Sequence, residues 1–223
     1  MEPIDELFER LDAWRHLPSY QLERRSDILF SLYLQEALEQ ELGFPVRQQL
    51  LPEFPVCRPE NNLTYKVDYL ARSEDGSTLI FVELKTDRGS RRDSQDTYLA
   101  DASKTPAREL LDRLAGVTKA SKARGKYSHL VQHLEQMGLV RPTGQRPWEF
   151  EASVDELQSR VVYVQPQPDP DSLDLSAFGC PVHFISLSKF AEVVDSHDDR
   201  LSLRFATSLK EWDRLDAGSS LGI

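Results

Sequence analysis

Apolar residues recur at spacings of three and four between positions 22 and 42 (Ile28, Leu29, Leu32, Ala37, Leu38, Leu42), with Gly43 and Pro45 as a stop, which predicts one long helix. Residues 46–51 read as a short strand and 52–62, with Pro52, Pro55 and Pro59, as a loop. Two runs rich in β-branched and aromatic residues follow, 65–71 and 78–86, and the Asp75-Gly76 dipeptide between them signals a hairpin. Helical periodicity then covers 93–114 and 126–137, and 142–151 reads as an irregular connection. Short apolar strands at 160–165 and 182–187 flank a proline-rich loop, and a helix follows at 188–194. This order predicts an α/β (α+β) fold, a mixed sheet with helices on its faces.

Three charges interrupt the hairpin runs. A two-residue type I′ turn at Asp75-Gly76 would pair Glu74 with Ser77 and, farther along, set Asp68 directly across from Glu83. Cβ atoms so paired lie about 4.5–5.5 Å apart, and alternation puts Lys85 on the same face. Two carboxylates about 5 Å apart repel by roughly 3 kcal/mol at an effective dielectric near 20. A positive charge is therefore required between them. Lys85 would supply part of it, and two converging carboxylates are also what Mg²⁺ or Mn²⁺ binds. The structural alternative is an ion-paired solvent face on an edge hairpin.

Composition narrows the classes. The 223 residues are 39 % apolar and 29 % charged, which suits one globular domain spanning 1–223, with a core at about 22–195 and extensions at 1–21 and 196–223. Neither a membrane span nor a signal-peptide pattern is expected, so the default location is cytoplasmic. Cys57 and Cys180 form no metal-site spacing and read as buried thiols, and no Gly-rich phosphate loop or nucleophile elbow occurs. The net charge of −10 argues against a polyanionic partner, but it is unevenly spread. Residues 88–126 hold ten basic residues against five acidic ones. That segment is either a phosphate-facing surface or a solvated mixed-charge face.

Asp68, fourteen intervening residues and then Glu83-Leu84-Lys85, with a helix before and a helix after, resembles the PD-(D/E)XK nuclease superfamily and its restriction-endonuclease-like fold. Val67 stands where the name has proline, and the cysteines of the iron–sulfur members are missing. The resemblance implies that Asp68, Glu83 and the Leu84 carbonyl ligate Mg²⁺ or Mn²⁺, and that Lys85 positions or activates the attacking water. It also implies an acidic residue on the first core helix. With Ile28 as origin at about 100° per residue, Glu36 falls at about 80° and Glu39 at about 20°, both within the apolar arc, and Glu36 is favoured. Gln95 and Tyr98, on the helix after the lysine strand, are three apart where the exonuclease-type branch commonly has a glutamine and a tyrosine four apart. With Arg88, Arg91 and Arg92 they make up the expected nucleic-acid contacts. The expected function is a metal-dependent nuclease acting on DNA in preference to RNA, with homodimerisation left open. The alternative is a catalytically silent nuclease-like module that binds nucleic acid or protein.

Overall fold

In the computed structural model, which describes residues 2–57, 64–87 and 90–218, helix α1 (Pro3–Trp14) leads into α2 (Leu22–Ser31) and α3 (Leu34–Leu42). The single helix expected over 22–42 is thus two. The Ser31 hydroxyl bonds the Ile28 carbonyl at 2.7 Å, and the Leu32 N–H turns instead to Leu29 O, three residues back. Side-chain competition of this kind tightens and bends a helix. The buried stripe also differs from the expected one: Leu22, Leu29, Phe30, Tyr33, Leu34, Ala37 and Leu38 face the core, whereas Ile28 and Leu32 are 66 % and 58 % exposed. Gly43, at φ 74°, ends α3 as anticipated.

Strand β1 (Leu51–Cys57) occupies the region expected to be a loop. Its prolines are tolerated because β1 lies at the sheet edge, where a missing N–H breaks no ladder. Strands β2 (Thr64–Arg72) and β3 (Thr78–Leu84) form the hairpin, and the pairs from Arg72↔Leu79 to Tyr69↔Val82 keep the expected register. The turn is not type I′, however. Ser73 pairs with Thr78, the Gly76 N–H returns to Ser73 O at 3.0 Å, and within the loop only Gly76 has a positive φ, 76°. A four-residue loop gives the same register as the two-residue turn would, because both are centred on Asp75-Gly76. A Cβ on Gly76 would also sit 2.9 Å from the guanidinium of buried Arg72, which bonds the Gly76 carbonyl. Gly76→Ala is expected to cost roughly 1–3 kcal/mol, read as a lower urea midpoint at unchanged slope.

Helices α4 (Asp93–Lys104) and α5 (Ala107–Ala120) replace one expected helix, since Pro106 forces Thr105 out of helical conformation. After α6 (Arg124–Gln136) come the paired short strands β4 (Val140–Pro142) and β5 (Phe150–Ala152), in a stretch expected to be partly irregular. Strands β6 (Gln158–Gln165) and β7 (Val182–Ser186) then extend the sheet, followed by α7 (Leu187–Asp195) and α8 (Arg200–Gly218). The sheet order is β1-β2-β3-β6-β7, antiparallel across β1–β3 and parallel from β3 to β7. The fold is therefore a mixed α/β sheet flanked by helices.

One face of the sheet packs Leu79, Phe81 and Tyr163 against α4–α6; the other packs Ile80, Val82 and Val162 against the remaining helices. Helices α1 and α8, expected to be extensions, contribute Phe8, Phe205 and Trp212 to that second core, each fully buried. Cys57 is buried and Cys180 half-buried, both as free thiols. Among the described residues no helix is long and apolar enough to cross a membrane.

Candidate active site

Along β1 the buried residues Leu51 and Phe54 are three apart yet join the same core, and opposite them Val67 and Leu70 do likewise. Strict alternation would put each pair on opposite faces, so both strands rotate between these positions. Glu53, at φ 53°, and Asp68 sit in that rotation. Beyond Tyr69↔Val82, Asp68 uses its side chain in place of its backbone: Oδ2 accepts the Leu84 N–H at 2.7 Å. Asp68 and Glu83 are thereby brought together at the end of the β2–β3 ladder, without the regular backbone pairing the type I′ hairpin implied.

Lys85, one residue past β3 and held by its N–H to Val164 O at 2.8 Å, carries the ammonium they share. Its Nζ lies 2.8 Å from Glu83 Oε1, 2.7 Å from Leu84 O, 3.3 Å from Glu23 Oε2 and 3.7 Å from Asp68 Oδ2. Lys85 is 2 % exposed and Glu83 1 %. Glu83 is further fixed from α4, where Gln95 Nε2 donates to Oε1 and the Tyr98 hydroxyl lies 3.1 Å from Oε2. Gln95 Oε1 is buried without a hydrogen-bond partner among the described residues.

Three carboxylates thus surround one ammonium, leaving −2 when all are ionised. Burial raises the pKa of Asp68 above the usual carboxylate range, with Lys85 and the Leu84 N–H pulling it down. Burial and then the Asp68 charge push Glu83 up to about 7. Burial also raises Glu23, against the pull of Lys85. For Lys85 burial favours the neutral amine, but Glu83, Asp68 and Glu23 together raise its pKa and keep it charged. One ammonium under-compensates this site, and a dication would relieve the remaining deficit.

The donor set is all oxygen, which fits Mg²⁺ or Mn²⁺. Among the described residues no three histidine, cysteine, aspartate or glutamate side chains are already arranged to hold a metal ion. The carboxylates here converge on Lys85 Nζ, so metal binding requires the ammonium to swing aside.

Glu36 is not part of this cluster. It lies on α3, 40 % exposed, and pairs with His197 at 2.9 Å. Glu39 is occupied structurally, accepting the Val46 N–H at 2.9 Å. The helix carboxylate that reaches the site is Glu23, in the first turn of α2, which the expected wheel overlooked. On the same wheel Glu23 falls at about 220°, beside Phe30 at about 200°, so a wheel centred on the aromatic positions would have found it.

The expected nucleic-acid contacts separate into three groups. Gln95 and Tyr98 share one face of α4, as their spacing implied, and that face meets Glu83 while also lining the cavity. Arg91 is committed elsewhere: it pairs with Asp96 at 2.9 Å, donates to Ser172 Oγ at 2.9 Å and covers the Tyr163 ring. Arg92 is exposed, lines a cavity of about 500 Å³ that includes Glu23, Lys85 and Gln95, and has no ion-pair partner among the described residues. Arg24 lines the same cavity with no such partner either, and was not anticipated. Arg88 lies outside the described residues. No known protein-family model, curated protein or solved structure matches this chain.

Proposed function

We propose that this chain is a Mg²⁺- or Mn²⁺-dependent nuclease of the PD-(D/E)XK type, hydrolysing phosphodiester bonds in DNA, with RNA less favoured, in the cytoplasm. The observation that carries the reading is Lys85 Nζ, almost fully buried, within 3.7 Å of carboxylates from three separate elements. Support comes also from the order of helix, three antiparallel strands, helix and parallel strand that places those carboxylates.

On this reading Asp68, Glu83 and the Leu84 carbonyl, with Glu23, would hold the metal. When bound it would supply Lewis-acid activation of water and neutralise charge on the phosphate. Gln95 and Tyr98 fix the rotamer of Glu83, so they are positioning residues. Lys85 remains an ammonium, so it donates to the nucleophile and to the phosphate oxygens and does not take the proton. Arg24 and Arg92 lie at the rim, where backbone phosphates would pass.

One observation favours a silent binding module instead: Lys85 stands where the carboxylate oxygens converge. Mn²⁺ titration by calorimetry separates the two. Tight binding that Asp68→Ala abolishes supports the nuclease; absence of binding to the wild type sinks it. Glu23→Gln is expected to weaken Mn²⁺ binding tenfold or more, whereas Glu36→Gln leaves it unchanged. Equal affinities for those two variants would remove Glu23 from the site.

A further inference from the structure

The cavity above the carboxylates has aromatic as well as cationic walls. Tyr65 lies parallel to Tyr98, with centroids 4.6 Å apart and planes 17° apart. The Tyr98 hydroxyl is anchored 3.1 Å from Glu83 and 3.0 Å from Lys66 O, which fixes the ring against which Tyr65 stacks. Tyr20 lines the same cavity from the α1–α2 connection, with its ring packed edge-on against Trp14 at 6.1 Å. Lys85 lines the cavity while only 2 % exposed, and Glu83, 2.8 Å from its ammonium, is 1 % exposed.

From this arrangement we infer that the site takes an unpaired nucleic-acid strand, whose bases stack against the Tyr65 and Tyr20 rings while Arg24 and Arg92 hold adjacent phosphates. The inference rests on the nuclease reading and narrows its substrate. A duplex carries its phosphates on the outside of a wide, stiff cylinder and would meet only the rim. A single strand can lead one phosphate down toward buried Lys85 and Glu83. A cationic groove interleaved with aromatic rings is the usual surface for single strands, because every base has a face to stack and the backbone is read by charge. A cavity of about 500 Å³ lies within the range that encloses small ligands, which suits one nucleotide at a time.

The test measures binding of a fluorescein-labelled oligothymidylate and of a hairpin duplex with equal phosphate count, at one fixed salt concentration and with Ca²⁺ in place of Mn²⁺. The single strand should bind at least tenfold tighter. Tyr65→Leu and Tyr20→Leu should each weaken that binding about tenfold, within the range of one lost base stack. Tyr65→Phe should stay close to wild type, because it keeps the ring. Tyr20 lies off the sheet, so Tyr20→Leu reports on stacking even if Tyr65→Leu disturbs the fold, and its Mn²⁺ affinity should be unchanged. Duplex bound as tightly as single strand, together with Lys85-dependent cleavage, overturns the inference and leaves the nuclease standing. Unaltered single-strand affinity in both leucine variants overturns it too. A wild type that neither binds Mn²⁺ nor cleaves takes down the nuclease reading and this inference with it.

Discussion

At pH 8.5, where Glu83 is ionised in the wild type, Lys85→Ala should lose roughly 3 kcal/mol of stability in EDTA, a fall in Tm of roughly 6–12 °C for a chain of this length. The reason lies in what remains. Glu83 is 1 % exposed and, among the described residues, keeps Gln95 and Tyr98 as neutral donors once the ammonium is gone. Breaking a buried pair by removing one partner leaves the other charge uncompensated, which costs more than the pair itself contributed. Lys85→Met, which keeps most of the volume, should lose nearly as much, showing that charge and not the cavity sets the cost. Mn²⁺ should restore much of the loss, because a dication takes over the role of the ammonium. Cleavage should nonetheless fall by roughly 10²–10³, as expected for loss of a donor aimed at developing charge. Differential scanning calorimetry with and without Mn²⁺, beside a cleavage time course, reads all of this. A variant as stable as wild type in EDTA would mean that the three carboxylates are adequately solvated without a cation.

The parts of this site legible in the sequence were those fixed by short-range geometry. Asp75-Gly76 and the alternation of apolar residues on either side determined the β2–β3 register even though the turn itself is a different one. What failed depended on local side-chain competition for the backbone or on contacts between distant segments. The α2–α3 break comes from Ser31 competing for a carbonyl, and Tyr33 beyond it is anchored by its hydroxyl to Ser202 at 2.8 Å, across 169 positions of chain. The wheel took Ile28 and Leu32 as core because both are aliphatic, but α1, α8 and α7 cover the Phe30 side of the helix instead. That choice cost the site its third carboxylate, since Glu23 faces with Phe30. Arg91 illustrates the same limit: its basic side chain read as a phosphate contact, yet Asp96, Ser172 and the Tyr163 ring engage it from three elements or loops. Prolines misled at β1 because edge position, which excuses them, belongs to the sheet and not to the strand.

In metal-free protein, stability should fall as pH rises from about 5 to 7.5, opposite to the trend most proteins show when acid-titrated. Glu83 has its pKa pushed up to about 7 in the fold, first by burial and then by Asp68, against 4.5 for an ordinary glutamate. Between those two values the native state holds a proton that the unfolded chain has released, so the slope of stability with pH is negative there. The contribution is fully present below about 4.5 and is lost as pH passes through about 7, amounting to roughly 3 kcal/mol at most. Asp68 and Glu23 are raised as well and act with the same sign. Lys85 is raised above 10.5, so its contribution is constant across this window. Glu83→Gln, neutral at every pH, should flatten most of the slope. Excess Mn²⁺ should reverse it, because the metal binds the ionised carboxylates and must displace the proton, so that binding releases protons near pH 6 and weakens below it. Thermal melts at half-unit pH steps, with EDTA and with Mn²⁺, give four curves from two proteins. If wild type in EDTA is flat or rises with pH and matches Glu83→Gln, then Glu83 is already ionised and Lys85 alone suffices to hold the site, which would remove the electrostatic case for a metal.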